Sequence, residues 1–545
     1  MKNIKLLILI IITGTIIVSC SESFLDLKEP IKPTLETYYT DTATAYNGLV
    51  GCYNSLQLVP SAERPTGVFF ILDIRSDDTD YAGNPRGASE ENNYYNAAGF
   101  ANFDIYSDNT YAWQIWNFGF RGVNTINKYL EGIEVIELSS ASQKALIDRF
   151  KAEAKFMRAY FYFILVKNYG AVPLITKTLD QPDWYNQKRS PESDIYAQIF
   201  KDLREAIPIL PLKNGYKKSE ANRITKGAAQ ALLAKALITN AEINASSPNW
   251  AEAYNLCREI ENSNQYNLNT NFKDIFTVAG QFSSEVVFDI VFDETISTEN
   301  DSYIHYLSPR FLFINGKPDH SEKMKYGFGL SGITEDMANQ YGYTQDADSL
   351  TYVNLNDGRG RYTFWARFDR YCGLSVVDKL TTRPETRNPN HTDDANYYSR
   401  KYNREAPTNN YYVAGSNFHV IRYAEVLLLG AEAAYHTGKE SEALRLVNLV
   451  RERAFREAIA AGRVTLESIK KNSTGTNLLK DIWQERRLEL AGEGDRFYDL
   501  KRTHRLDILK VKKPDILFQA GKHEFLPIPS SELSKSPYLT QNPGY

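Results

Sequence analysis

The chain has 545 residues, 24% of them charged, with a formal net charge of −4, so it carries no basic footprint of the kind that nucleic acid demands. Its apolar fraction of 43% is ordinary for a globular protein, and the length admits several domains or one large unit. Aromatic content departs from the average, with 36 Tyr and 27 Phe, which serve either as a partly wet core or as flat faces on which sugar rings stack.

Lys2 and Lys5 precede an apolar run from Leu6 to Val18, the length of a secretory leader and too short to span a bilayer. The run closes on Ile17-Val18-Ser19-Cys20, which resembles a bacterial lipobox with Cys20 as the acylated first residue. Residues 1–19 then form a signal peptide, and two or more acyl chains give stable anchoring. No later stretch is long and apolar enough for a transmembrane helix. Cys52, Cys257 and Cys372 are too scattered for a disulfide framework.

A first helix is expected over Asp41–Leu58, with Ala45, Leu49, Cys52 and Leu56 on one face. Arg64–Tyr111 is rich in Gly, Asn, Asp and Ser and has no sustained period, so it reads as a long structured loop. Disordered segments are poor in aromatics, whereas this one holds Phe69, Phe70, Tyr81, Tyr94, Tyr95, Phe100, Phe103, Tyr106 and Tyr111; an ordered binding loop is expected. Asp77, Asp78, Tyr81, Asn84 and Arg86 fall close together within it. A ring flanked by carboxylate, amide and guanidinium groups suits a polyol with donors and acceptors on its edges.

A helix follows at Ala112–Gly132, then the stretch Lys144–Ile175 around which the chain is organised. Ala152, Ala154 and Ala159 permit close backbone approach, and Ala159–Val166 is apolar or aromatic on every face, so protein must surround it. Gly170 supplies a left-handed stop and Pro173 prevents resumption. Helices at Glu192–Ile207, Thr225–Ile243 and Asn249–Glu261 come next. The last two have an echo: one fixed offset sets Ala234 on Ala424, Leu237 on Leu427, Ala241-Glu242 on Ala431-Glu432 and Glu252-Ala253 on Glu442-Ala443. The pattern resembles tetratricopeptide-type hairpins, which stack into a superhelix.

Between the hairpins, Phe272–Asn417 is a second irregular region. It opens with a strand candidate, Val286–Phe292, and continues with Tyr303, His305, Tyr306, Phe311, Phe313, Tyr326, Phe328, Tyr341 and Tyr343 among Gly, Asn and Asp. Its composition matches the first loop, so both are expected on one functional face, with Tyr94, Tyr95, Tyr303 and Tyr306 as further ligand-binding candidates. Helices return at His419–Thr437, Ser441–Ala460 and Leu478–Gly492.

Glu489 and Glu493, one helical turn apart, could be the carboxylate pair of a glycoside hydrolase. An acid catalyst needs a raised pKa, however, and the surrounding Arg486, Arg487 and Arg496 push it down, so an ion-pair network is the expectation. Glu153, Arg158, Arg422, Glu425 and Glu432 are expected in similar networks. Gly327–Gly332 satisfies GxGxxG, but His320–Lys325 before it is no buried strand, so no dinucleotide site is read there. The seven His never fall at metal-ligand spacing, and GxSxG, HExxH and P-loop patterns are missing; no catalytic residue, cofactor or metal is assigned.

Several phrases together resemble one family. They are Glu153-Ala154 with Arg158-Ala159, Tyr169-Gly170-Ala171-Val172-Pro173-Leu174, Arg422-Tyr423-Ala424-Glu425, Glu485-Arg486-Arg487-Leu488-Glu489-Leu490 and Asp499-Leu500-Lys501-Arg502. With Leu25-Asp26 and Pro30 near the start and Asn542-Pro543-Gly544-Tyr545 at the end, the chain from Cys20 onward resembles the SusD/RagB outer-membrane nutrient-binding lipoproteins of the Bacteroidetes. The resemblance implies a mainly α SusD-like fold, with tetratricopeptide-type helix pairs and long irregular binding loops. It further implies one unit over 20–545, with an N-terminal region at 20–230 and a C-terminal region at 285–545. The implied role is a lipid-anchored, surface-exposed protein that captures an oligosaccharide and delivers it to a SusC-like TonB-dependent transporter. Starch-binding members use aromatic and Asn/Arg residues of the first loop. A peptide-binding member of the same family and a surface-anchored hydrolase are the alternatives.

Overall fold

The structure, a computed structural model, describes residues 35–61, 72–81, 94–243, 249–293, 313–314, 317–318, 331–342, 356–366, 370–371, 374–375, 397–401 and 417–545. Its principal helices are α1 (Thr42–Ser61), α2 (Tyr94–Asn102), α3 (Thr110–Gly132), α4 (Ala141–Tyr169), α5 (Glu192–Ala206), α6 (Lys226–Ile243), α7 (Asn249–Asn262), α8 (Tyr423–His436), α9 (Glu440–Ala460), α10 (Gly475–Leu490) and α11 (Arg496–Arg502). The fold is mainly α-helical, as expected.

Helix α4 is the 29-residue centre of the array. The Ser140 side chain accepts a hydrogen bond from the Gln143 N–H at its start, and Gly170 ends it at φ 68° with its N–H on the Val166 carbonyl. Every residue from Ala159 to Val166 is buried, which is what a stripe-less apolar run requires. Helix α3 lies so close that a Cβ on Gly119 would stand 2.6 Å from the Leu165 side chain, and one on Gly122 would enter the Phe161 ring.

From α3 to α9 each helix packs against its successor, and α1 lies across α3 and α4. The two hairpins, α6–α7 and α8–α9, stack through α7 against α8, where a Cβ on Gly430 would be 3.1 Å from the Cys257 side chain. This is the nearest-neighbour arrangement that the internal echo foretold. Cross-hairpin ion pairs add Arg258–Glu442 at 3.0 Å and Arg445–Glu261 at 2.8 Å.

Two local expectations are corrected. Helix α8 starts at Tyr423, not near His419, because Phe418–Arg422 forms a strand antiparallel to Val286–Ile290. A nearby edge recruits β-branched Val420 and Ile421 into sheet, which local periodicity cannot reveal. The region Arg64–Tyr111 is also not all loop, since it contains α2 and a strand, Thr79–Tyr81. Some of its aromatics are core: Phe100, Phe103 and Tyr111 are buried, and Phe103 packs edge-on against Phe518 with centroids 5.2 Å apart.

Candidate ligand-binding site

Four short strands, β1 (Thr79–Tyr81), β2 (Ser331–Ile333), β3 (Phe364–Ala366) and β4 (Tyr397–Ser399), form one sheet in the order β1-β2-β4-β3. Strand β1 comes from the first irregular region and the other three from the second. Thr79 faces Ile333 and Tyr81 faces Ser331 in an antiparallel register. The Thr334 N–H donates to the Asp78 carbonyl and its hydroxyl to the Asp77 carbonyl, each at 2.9 Å. The two irregular regions therefore share a foundation. Tyr81, the last residue of β1, and Ser331, the first of β2, lie side by side.

The sequence candidates divide on this frame. Tyr81 is half-buried against the main core. Tyr94 and Tyr95 open helix α2. Asn84, Arg86, Tyr303, Tyr306 and Cys20 lie outside the described residues.

Asp77 and Asp78 are corrected as ligand contacts, because both side chains are fully buried and already paired. Arg496 donates to both carboxylate oxygens of Asp77, at 2.7 and 2.8 Å. Arg487 donates to Asp78 Oδ1 at 2.7 Å and reaches Asp336 Oδ2 at 2.8 Å. Burial alone would raise Asp77, but Arg496 and Arg487 hold it below its ordinary value; Asp78 is raised, by burial first and by Asp77 second. An unpaired carboxylate is not tolerated inside a protein, so these two tie the first irregular region to α10 and α11 and do not meet solvent.

Behind the sheet lies the expected ion-pair network. Arg422 and Arg453 donate to Glu489 Oε1 at 2.9 and 2.5 Å, and Arg422 also holds Glu493 Oε1 at 2.6 Å. Burial by itself would push Glu489 up, yet Arg453, Arg422 and Arg359 together hold it far below the carboxylate range. A group held so firmly ionised has no proton to donate to a leaving group. Of the other expected members, Glu432 is held by Arg502, Glu425 by Lys235, Glu153 by Arg223 and Arg158 by Asp202.

Two members from the second irregular region escaped sequence reading. Arg359, fully buried, donates to Glu485 at 2.6 Å across 126 residues of sequence, and Lys401 donates to Glu493 at 2.6 Å across 92. No local pattern marks them, because partners that distant leave no periodic trace. They do for the second region what Asp77 and Asp78 do for the first, tying it to α10 and to the turn that follows. Among the described residues no cluster of His, Cys, Asp or Glu could hold a metal ion, and no helix is long and apolar enough to cross a membrane.

Paired helices stacked in sequence order, with long insertions joined by a common sheet, define the class as a helical scaffold that presents irregular segments from a rigid base. The sequence profile of the SusD family matches residues 284–545, and one described as "Starch-binding associating with outer membrane" matches 73–238. SusD-like protein P2 of Formosa agariphila is 26% identical over the whole of both chains, and a SusD-like protein of Bacteroides ovatus is 24% identical over 91% of this chain and 81% of its own. Among solved structures, a laminarin-binding SusD-like protein is 25% identical with a TM-score of 0.72, covering 93% of this chain and 100% of the other. Surface glycan-binding protein A from Bacteroides thetaiotaomicron, solved in complex with laminarihexaose, shares the fold at 22% identity and TM-score 0.71, over 92% and 100% of the two chains. The chain belongs to the SusD/RagB family.

Proposed function

We propose that this protein captures an oligosaccharide at the outer-membrane surface and passes it to a SusC-like TonB-dependent transporter, with no covalent step. The observation that carries the reading is the pairing of Tyr81 with Ser331, which joins two aromatic and polar segments over one rigid base. Membership of a family with a laminarin-binding relative supports a glycan as ligand and makes a β-glucan the first to test. The family description naming the outer membrane supports the location, and Cys20 is the proposed point of lipid attachment.

Calorimetric titration of residues 21–545 against plant, host and microbial glycans, laminarihexaose included, is expected to show binding without turnover. Tyr95→Ala should weaken it by roughly threefold to tenfold, the share of one stacked ring. Failure of every glycan at saturating concentration overturns the reading and turns the search to peptides. Cys20→Ala should move the protein from the membrane fraction to the soluble one.

A further inference from the structure

Between α4 and α5 the chain folds back over α3 and leaves a cleft of about 400 Å³, within the range of small-molecule sites. None of its lining residues belongs to the four-stranded sheet or to either irregular region. It is separate from the site described above.

Trp184 stands on a single helical turn, Asp183–Asn186, and is 48% exposed. Its indole N–H donates to the Leu179 carbonyl, so the ring is fixed and its one donor is used internally. What it offers the cleft is an apolar face. Packing covers only part of this indole, and the remainder leaves a large fixed apolar area open. The second aromatic wall is Phe120, half-buried and braced by buried Trp116 with centroids 4.7 Å apart.

Asn117, Arg121 and Asn124 also line the cleft. They recur on successive turns of α3 and so share one face of the helix. Arg121 and Asn124 are exposed, and Arg121 has no ion-pair partner among the described residues. Two fixed aromatic surfaces beside amides and a planar five-donor guanidinium make a chemically specific set. A pyranose ring answers it, with C–H groups for the ring faces and paired hydroxyls for the fork and the amides.

We propose that this cleft is a second carbohydrate subsite, taking one hexopyranose unit of an oligosaccharide independently of the loop-borne site. The inference rests on the reading of the chain as a glycan binder, and the test separates the two. Laminarihexaose and maltohexaose are titrated against residues 21–545, with calorimetric stoichiometry and intrinsic tryptophan fluorescence as readouts. The unaltered chain is expected to bind in two phases. Trp184→Ala and, independently, Asn124→Ala should each weaken one phase by tenfold or more and leave the other in place, while Tyr95→Ala acts on the other phase. Both altered side chains of the cleft are exposed, and an unchanged melting temperature confirms the fold. A single phase in the unaltered chain, or two phases indifferent to both cleft variants, overturns the second subsite and leaves glycan binding standing. Binding to neither probe, nor to any other glycan of the panel, overturns both.

Discussion

Glu489 sits where three arginines converge, and what happens when its charge is removed separates structure from catalysis at this residue. Glu489→Gln removes the carboxylate that Arg422, Arg453 and Arg359 share, leaving Glu285 and Glu493 to balance a buried cluster one charge short, and is expected to cost about 3–5 kcal/mol in urea unfolding. A loss below about 1 kcal/mol would mean that the network is not what holds α10 in place. Acid should act on the same groups. Burial opposes ionisation of Glu489 and Asp499, but their arginine partners hold both below the usual carboxylate value. Their contribution is therefore complete above about pH 4 and is lost as the pH falls below it. Asp73 runs the other way, pushed up to about 7 by burial first and by the Asp78 carboxylate next. Its folded form keeps a proton that the unfolded chain has released, so stability declines as the pH rises from about 4 to about 7 and is level beyond. Asp73→Asn should flatten that decline, measured as the difference in unfolding free energy between pH 5 and pH 8. An unchanged difference rules out Asp73 as its source.

At the scale of elements, the α3–α4 contact depends on missing side chains as much as on present ones. A methyl group at position 122 would overlap the Phe161 ring, so Gly122→Ala is expected to destabilise by about 1–3 kcal/mol, since a packed core cannot open locally. Thermal melting checks it, and a neutral result would show that α3 can slide on α4. The stacked hairpins were legible beforehand, because Ala234, Leu237 and Ala241 and their echoes at Ala424, Leu427 and Ala431 obey a local period. The start of α8 was not, since Val420 and Ile421 fit a helix stripe as well as a strand until β-pairing with Val286–Ile290 decides between them.

The whole molecule is laced together across long sequence distances. Asp77 and Asp78 meet Arg496 and Arg487 over 419 and 409 residues, and the Leu526 N–H donates to the Asn168 carbonyl at 2.7 Å. Near the end of the chain, Asn542 donates to the carbonyls of Tyr169 and Leu526. The regions 20–230 and 285–545 are therefore proposed to unfold as one unit. Residues 20–230 expressed alone should fail to give a cooperative transition, because Asp77 and Asp78 would lose both arginines. A sharp melt of that fragment would establish two independent domains.

By itself the sequence determined the helical scaffold, its central helix, the repeated pairs and the family, because each rests on spacings of a few residues or on phrases read in order. It also pointed to the ion-pair network around Glu489, since interleaved opposite charges are visible locally. Only the tertiary structure decided that Asp77 and Asp78 turn inward, and that Arg359 and Lys401 complete the network from another region. Burial and pairing are properties of residues brought together in space, and a carboxylate on a Gly-rich, Asp-rich segment reads the same whether it meets water or a buried guanidinium.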